Sequence, residues 1–208
     1  RLVSIFTTSE TEIGRFQIKP ADSDIMPDPI DIACGKESLY VLDAASEEVM
    51  VYDFNGTLRR NIPFVNQYLQ APSAICYEGE NLFIADIGCI WRIDIEGHVL
   101  KRIRTYPLLE GMPMQITDMT LDEGLLYVTD LTKSQVVLFA YPENWSVVEA
   151  WDPFLTISGY GDEPGRYYAP AGVAAKGDRV YVCDSLKESV DWHQRRTGEF
   201  EILPNAEW

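Results

Sequence analysis

Two histidines, four cysteines and a surplus of carboxylates are the groups in this 208-residue chain that could do chemistry. A zinc centre needs three or four His, Cys or carboxylate ligands converging on one point. His98 falls in a turn, "EGHV", and His193 in "VDWHQRR", in separate parts of the chain. Neither has a second histidine at ligand spacing. Cys34, Cys76, Cys89 and Cys183 form no CxxC pair and no disulfide-like framework, and three of them fall inside expected strands, where a free Cys behaves as a small apolar residue. Cys183 and His193 could serve as thiol and base. They fall on successive strands, however, and a buried thiol is inert, so Cys183 is expected in the core. Asp22, Asp24, Asp28 and Asp31, in "ADSDIMPDPID", offer oxygen ligands of the kind calcium takes. The central Gly and closing Glu of a calcium-binding helix–loop–helix are missing. The segment reads as a solvated acidic loop, with no cofactor as the first expectation and calcium as the alternative. Aromatic residues gather in one long interval: Trp151, Phe154, Tyr160, Tyr167 and Tyr168. Tyr and Trp are favoured interface anchors, and long loops on rigid scaffolds carry binding. Trp151, Phe154, Tyr160 and Tyr168 are therefore the candidate binding residues.

Four further carboxylates share a context. "LYVLD" ends at Asp43, "LFIAD" at Asp86, "LYVTD" at Asp130 and "VYVCD" at Asp184. Each is preceded by a shorter apolar stretch and a polar turn: "IDIACGKES", "SAICYEGEN", "TDMTLDEG" and "AGVAAKGDR". Each is followed by "EVMVYDF", "IWRIDI", "SQVVLFAY" or "SVDWHQ", and then by a turn and a fourth stretch: "NGTLRRNI", "EGHVLKRIRTY", "PENWSVVEAW" or "TGEFEIL". Asn55-Gly56 is a hairpin signal, because Gly accepts the positive φ of a tight turn. No segment sustains a helical period. An ionised carboxylate at the end of the second strand can accept hydrogen bonds from turn amides. Asp43, Asp86, Asp130 and Asp184 are thus expected to brace turns and not to ligate metal or catalyse.

Four short antiparallel strands recurring every ~40–45 residues are the pattern of a β-propeller blade. One such sheet cannot bury both faces alone, but sheets set side by side bury one another. That explains strands apolar at every position. The fold class expected is all-β, one propeller domain over residues 1–208. Its units run at about 28–70, 71–112, 113–153 and 168–204, with a leading outer strand at 1–7. Net charge of -16 argues against nucleic acid as a partner. No apolar run reaches the ~20 residues a membrane helix needs, so no membrane insertion is expected.

The order of features in "GYGDEPGRYYAPAGVAAKGDRVYVCDSLKESVDWHQRRTGEF" (159–200) resembles the NHL-repeat family of propellers: a glycine-rich approach with an aromatic, a proline, an apolar strand, then a strand ending in Asp. "TSETEIGRFQIKP" looks like a second copy of the approach, with Gly14-Arg15-Phe16 parallel to Gly165-Arg166-Tyr167. The family's usual Asn-His-Arg-Ile after the Asp is replaced by "AASEEV", "IGCIW", "LTKSQV" and "LKESV". The resemblance implies closure with about six blades. Four units then mean a piece of a larger propeller or an open assembly, ahead of a closed four-bladed ring. It also implies a non-enzymatic module that binds a protein partner or itself through rim loops and blade edges, in the periplasm or outside the cell, with the cytoplasm as the alternative. The competing expectation is a propeller hydrolase or lyase with calcium or another metal in the central channel.

Overall fold

The computed structural model describes residues 2–7, 9–18, 26–62, 69–105, 113–140, 155–157, 159–163, 165–195 and 200–202. These residues are all-β, with no helix. Four four-stranded antiparallel sheets form the blades of a propeller. Blade 1 contains β3 (Pro29–Cys34), β4 (Leu39–Asp43), β5 (Glu48–Tyr52) and β6 (Leu58–Ile62). Blade 2 contains β7 (Ala74–Glu78), β8 (Asn81–Asp86), β9 (Cys89–Asp94) and β10 (Val99–Arg104). Blade 3 contains β11 (Ile116–Asp122), β12 (Leu125–Asp130), β13 (Gln135–Ala140) and β14 (Leu155–Ile157). Blade 4 contains β15 (Pro170–Lys176), β16 (Arg179–Asp184), β17 (Ser189–Gln194) and β18 (Phe200–Ile202). The fourth strand of blade 3 thus falls just past 153, and the "PENWSVVEAW" stretch lies outside the described residues.

A leading hairpin, β1 (Leu2–Phe6) with β2 (Glu12–Gln17), precedes blade 1. This differs from the expectation in two ways. Residues 2–6 are not an outermost strand, and "EIGRFQ" is a strand and not an approach loop. The backbone explains both. The Thr7 amide bonds the Thr11 carbonyl at 2.9 Å and closes the β1–β2 turn. The Asp53 amide bonds the Thr57 carbonyl at 3.0 Å and closes β5–β6 in the same way. The hairpin therefore corresponds to the third and fourth strands of a blade.

First strands β3, β7, β11 and β15 form the inner edges, each packed beside the next. Apolar clusters fill the spaces between neighbouring sheets. Val3, Ile5, Phe16 and Ile18 pack on Leu39, Val41, Met50 and Tyr52. Ala33, Tyr40 and Leu42 of blade 1 meet Ile75, Ile84 and Trp91 of blade 2. Phe83 and Ile90 meet Met119 and Val128, and Tyr127 and Leu138 meet Val173 and Val182. Because middle strands are covered on both faces, β4, β8 and β12 are buried along nearly their whole length. Among the described residues only one face of blade 4 is covered, and β16 alternates between buried and accessible residues. Among the described residues no apolar cluster joins blade 4 to the leading hairpin.

Cys183 belongs to that uncovered face and is exposed, contrary to the core position expected for it. Leu42, Ala85 and Thr129, the residues preceding the other three strand-ending acids, are buried because a following blade lies on them. Cys34 is exposed at the end of β3, Cys76 and Cys89 are buried, and all four thiols are free.

Gly56 ties the leading hairpin to blade 1. Its φ is +79°, and a Cβ there would lie 2.3 Å from two Phe16 atoms. Gly56→Ala is expected to lose about 2 kcal/mol, combining the positive-φ penalty with displacement of Phe16 from Tyr52. A denaturant titration checks this, and an unchanged midpoint would mean that the turn takes a side chain without displacing Phe16.

Candidate functional site

The four strand-ending acids are buried, and their carboxylates hold backbone in place. Asp43 accepts the Ser46 amide at 2.9 Å and the Ser46 hydroxyl at 2.8 Å. Asp130 accepts the Thr132 amide at 3.0 Å and the Gln135 side chain at 2.9 Å. Asp86 has a shorter turn after it and reaches back instead, to the amides of Gln70 (3.1 Å) and Ala71 (2.8 Å) and to the Trp91 indole (3.3 Å). Asp184 does both jobs. It accepts Leu186 and Lys187 in its own turn, at 3.0 and 3.1 Å, and Tyr168 and Ala169 of the approach segment, at 2.6 and 3.2 Å. A buried amide left without a partner costs about 1–3 kcal/mol, so these acids fix the loops of one rim.

Around Asp184 that rim carries the sequence-predicted aromatics. Tyr160 is 69% exposed and Leu186 is 72% exposed. The Tyr160 and Tyr168 rings meet edge-on, with centroids 4.9 Å apart. The Tyr168 hydroxyl bonds the Asp162 carboxylate, which pushes its pKa up. The Lys187 ammonium lies 5.7 Å from the Tyr168 ring and donates to the Arg166 carbonyl at 2.5 Å. Tyr160 and Tyr167 form a parallel bridge, and the Gly161 amide bonds the Tyr167 carbonyl at 3.3 Å. The loop is thus a braced platform with apolar surface outward. Trp151 and Phe154 lie outside the described residues.

Tyr167 turns inward. Its hydroxyl and His193 Nε2 share a hydrogen bond inside the blade 3–blade 4 cluster. Burial raises the Tyr167 pKa far above the phenol range and lowers that of His193 to about 4. Both rings are closed to solvent, so this pair packs the interface. His98, by contrast, is exposed and pairs with Asp94 at 2.8 Å.

Of the proposed calcium ligands, Asp22 and Asp24 lie outside the described residues. Asp28 offers its carbonyl to the Ala44 amide at 2.9 Å. Asp31 commits one oxygen to the Ile32 amide and the other to Ile75 of blade 2, each at 2.7 Å. Among the described residues no three metal-capable side chains come together.

Asp31 has a counterpart that sequence reasoning missed. Asp118 accepts the Met119 amide with one oxygen and Val173 of blade 4 with the other, each at 2.7 Å. Amides 32, 75, 119 and 173 occupy the same place in four successive inner strands, each opposite the residue two before a strand-ending acid. Two carboxylates thus serve four equivalent amides, blades 1 and 2 through Asp31 and blades 3 and 4 through Asp118. Ala74 and Gly172 stand where the alternate blades have no acid to offer. β-Bulges at Pro29/Asp31 and Ile116/Met119 aim the two acids across the gap. Burial, with Asp31 nearby, raises Asp118 to about 6.

The fold and these braces define a β-propeller of four blades with a leading half-blade. No protein-family model matches the chain, and no curated protein matches it. Solved structures share its fold at low identity. A protein of unknown function from Bacteroides caccae aligns over 94% of this chain and 65% of its own, with TM-score 0.62 and 12% identity. Kuenenia stuttgartiensis hydrazine synthase aligns over 90% of this chain and 52% of its own, with TM-score 0.58 and 15% identity. The computationally designed Ika4 protein aligns over 86% of this chain and 95% of its own, with TM-score 0.52 and 14% identity. The chain thus spans less than two thirds of the two natural proteins.

Proposed function

We propose that the chain is a protein-binding module of NHL type, docking a partner on the rim of blade 4. The observation that carries this reading is the braced platform itself. Tyr160, Tyr168 and Leu186 present apolar surface on loops that Asp184 and Lys187 hold in one geometry. Preordered aromatic surface binds without a further ordering cost. The inner-strand acids Asp31 and Asp118 have both oxygens occupied by backbone amides, which is a bracing arrangement and not an open catalytic one. With net charge -16, the partner surface is neutral or basic protein.

A photo-cross-linking residue at position 160 tests the reading. We expect a saturable cross-link to one protein, weakened about tenfold by Leu186→Ser, as for loss of an interface anchor. The same cross-linker at Lys36, on the opposite rim, should capture nothing. Equal capture at both positions would reject blade 4's rim as the docking surface.

A further inference from the structure

We propose that the outer edge of β10, on blade 2, takes an extended acidic segment of a partner protein as a fifth strand. The proposal rests on the binding-module reading above and names a second mode of contact. β10 is the outermost strand of its sheet and, among the described residues, pairs only with β9. Blades 1 and 3 pack on the two faces of blade 2, so this edge is set by the blade itself and not by an end of the chain. The Thr105 amide donates inward, to the Gly88 carbonyl at 3.1 Å. Hydrogen-bonding direction alternates along an antiparallel strand, so the amides and carbonyls of Arg102 and Arg104 point outward. Such an outward row is a template for another strand.

The side chains of β10 set it apart from the other outer strands. "VLKRIR" has three bases and no acid, in a chain of 17 bases and 33 acids. Arg102 and Arg104 share one face and both are exposed. Arg102 lies 5.1 Å over the Trp91 ring, which holds its charge at the edge. Leu100, at the bulge between Val99 and Lys101, is 50% exposed and adds apolar surface. Elsewhere the bases of outer strands are committed within the chain. In β6, Arg59 is paired with Asp53, and Arg60 with Glu96 and the Ile95 carbonyl. In β2, Arg15 is held by Glu12. β14 and β18 contain no base.

Charge and pleat together define the occupant. Three bases on one edge repel a second β10 and attract carboxylates. A strand laid beside Arg102 and Arg104 puts every second residue on their face, so the occupant has acids at alternate positions. The residues between them fall on the face of Ile103, which is 3% exposed and belongs to the blade 2–blade 3 cluster. Those residues are therefore apolar. The net charge of -16 repels such a segment from the rest of the surface, which confines it to this edge.

A labelled peptide, Glu-Val-Glu-Val-Glu-Leu between Gly-Ser flanks, serves as probe, with its Gln-for-Glu counterpart as reference. We expect saturable one-to-one binding of the Glu peptide to the 208-residue chain, with slowed exchange of the Arg102 and Arg104 amides. Arg104→Glu, at an exposed position, should weaken binding about tenfold and leave the unfolding midpoint unchanged. Salt at about 0.5 M should weaken it as well. Absence of saturable binding, equal binding of the Gln peptide, binding indifferent to Arg104→Glu, or protection of another edge instead of β10 would overturn the proposal. So would a dimer of the free chain in which a second copy protects β10. Failure here with the cross-link at position 160 intact would sink only this seat, whereas loss of both would sink the binding-module reading.

Discussion

Asp184→Ala is expected to lower the unfolding free energy by about 3 kcal/mol or more, the cost of stranding several buried amides at once. At ~2–4 °C per kcal/mol for a chain of this size, the melting midpoint should fall by roughly 6–12 °C. Four backbone amides from two loops converge on this carboxylate, which is 1% exposed. Asp43 takes one amide and one hydroxyl, both from Ser46, so Asp43→Ala should cost about half as much. Thermal scans of the two variants side by side decide the point. Equal shifts would mean that the number of amides held is not what these acids contribute. Because Tyr168 is one of the four donors, Asp184→Ala should also release the Tyr160 platform and reduce cross-linking at position 160.

The second large effect depends on pH, and two groups act with opposite signs. Burial raises Asp118 from 3.8 to about 6. The folded chain therefore binds this proton more tightly than the unfolded one, and the stability it contributes is present below about pH 4 and lost as pH rises through 6. Burial lowers His193 from 6.5 to about 4. Its contribution is present above pH 6.5 and lost as pH falls through 4. At 1.36 kcal/mol per unit, each is worth about 2–3 kcal/mol, the smaller figure for the half-buried Asp118. Between pH 7 and 4 they largely cancel in the wild type, and single variants separate them. The stability advantage of wild type over Asp118→Asn should grow by about 2 kcal/mol as pH falls from 7 to 4. The advantage over His193→Gln should shrink by about 3 kcal/mol over the same range. Urea titrations at the two pH values measure both. Changes of the same sign in the two variants would contradict the assignment.

The blades were legible because their signal is local. An apolar strand closing on Asp and a turn after it recur four times, and backbone pairing follows from that period alone. The role of Asp43, Asp130 and Asp184 in their own turns was local too. What escaped was whatever depends on a neighbouring sheet. Asp86 reaches to Gln70 and Ala71, a contact no turn rule anticipates. Cys183 has the strand position of a core residue, and only the absence of a blade cluster beyond it, among the described residues, exposes it. Asp118 was in plain view in "TDMTLDEG", aligned with Asp31 in "IDIACGKES", Ala74 in "SAICYEGEN" and Gly172 in "AGVAAKGDR". That alternation has meaning only once four inner strands present equivalent amides to one another. The leading hairpin was misread for a related reason: "GRF" matches the approach segment in residue type, while the strand role is set by pairing with β1.

The account rests on sheets stacked in one run, covered between neighbours and, among the described residues, uncovered on blade 4's outward face and at β1. Hydrogen exchange of the free chain, resolved by strand, measures that directly. It should find β8 and β12 slowest, β4 close behind, and β1, β16 and β17 exchanging well ahead of them. Protection of β1 and β16 equal to that of β8 would show both ends of the run to be covered, and the account would be wrong.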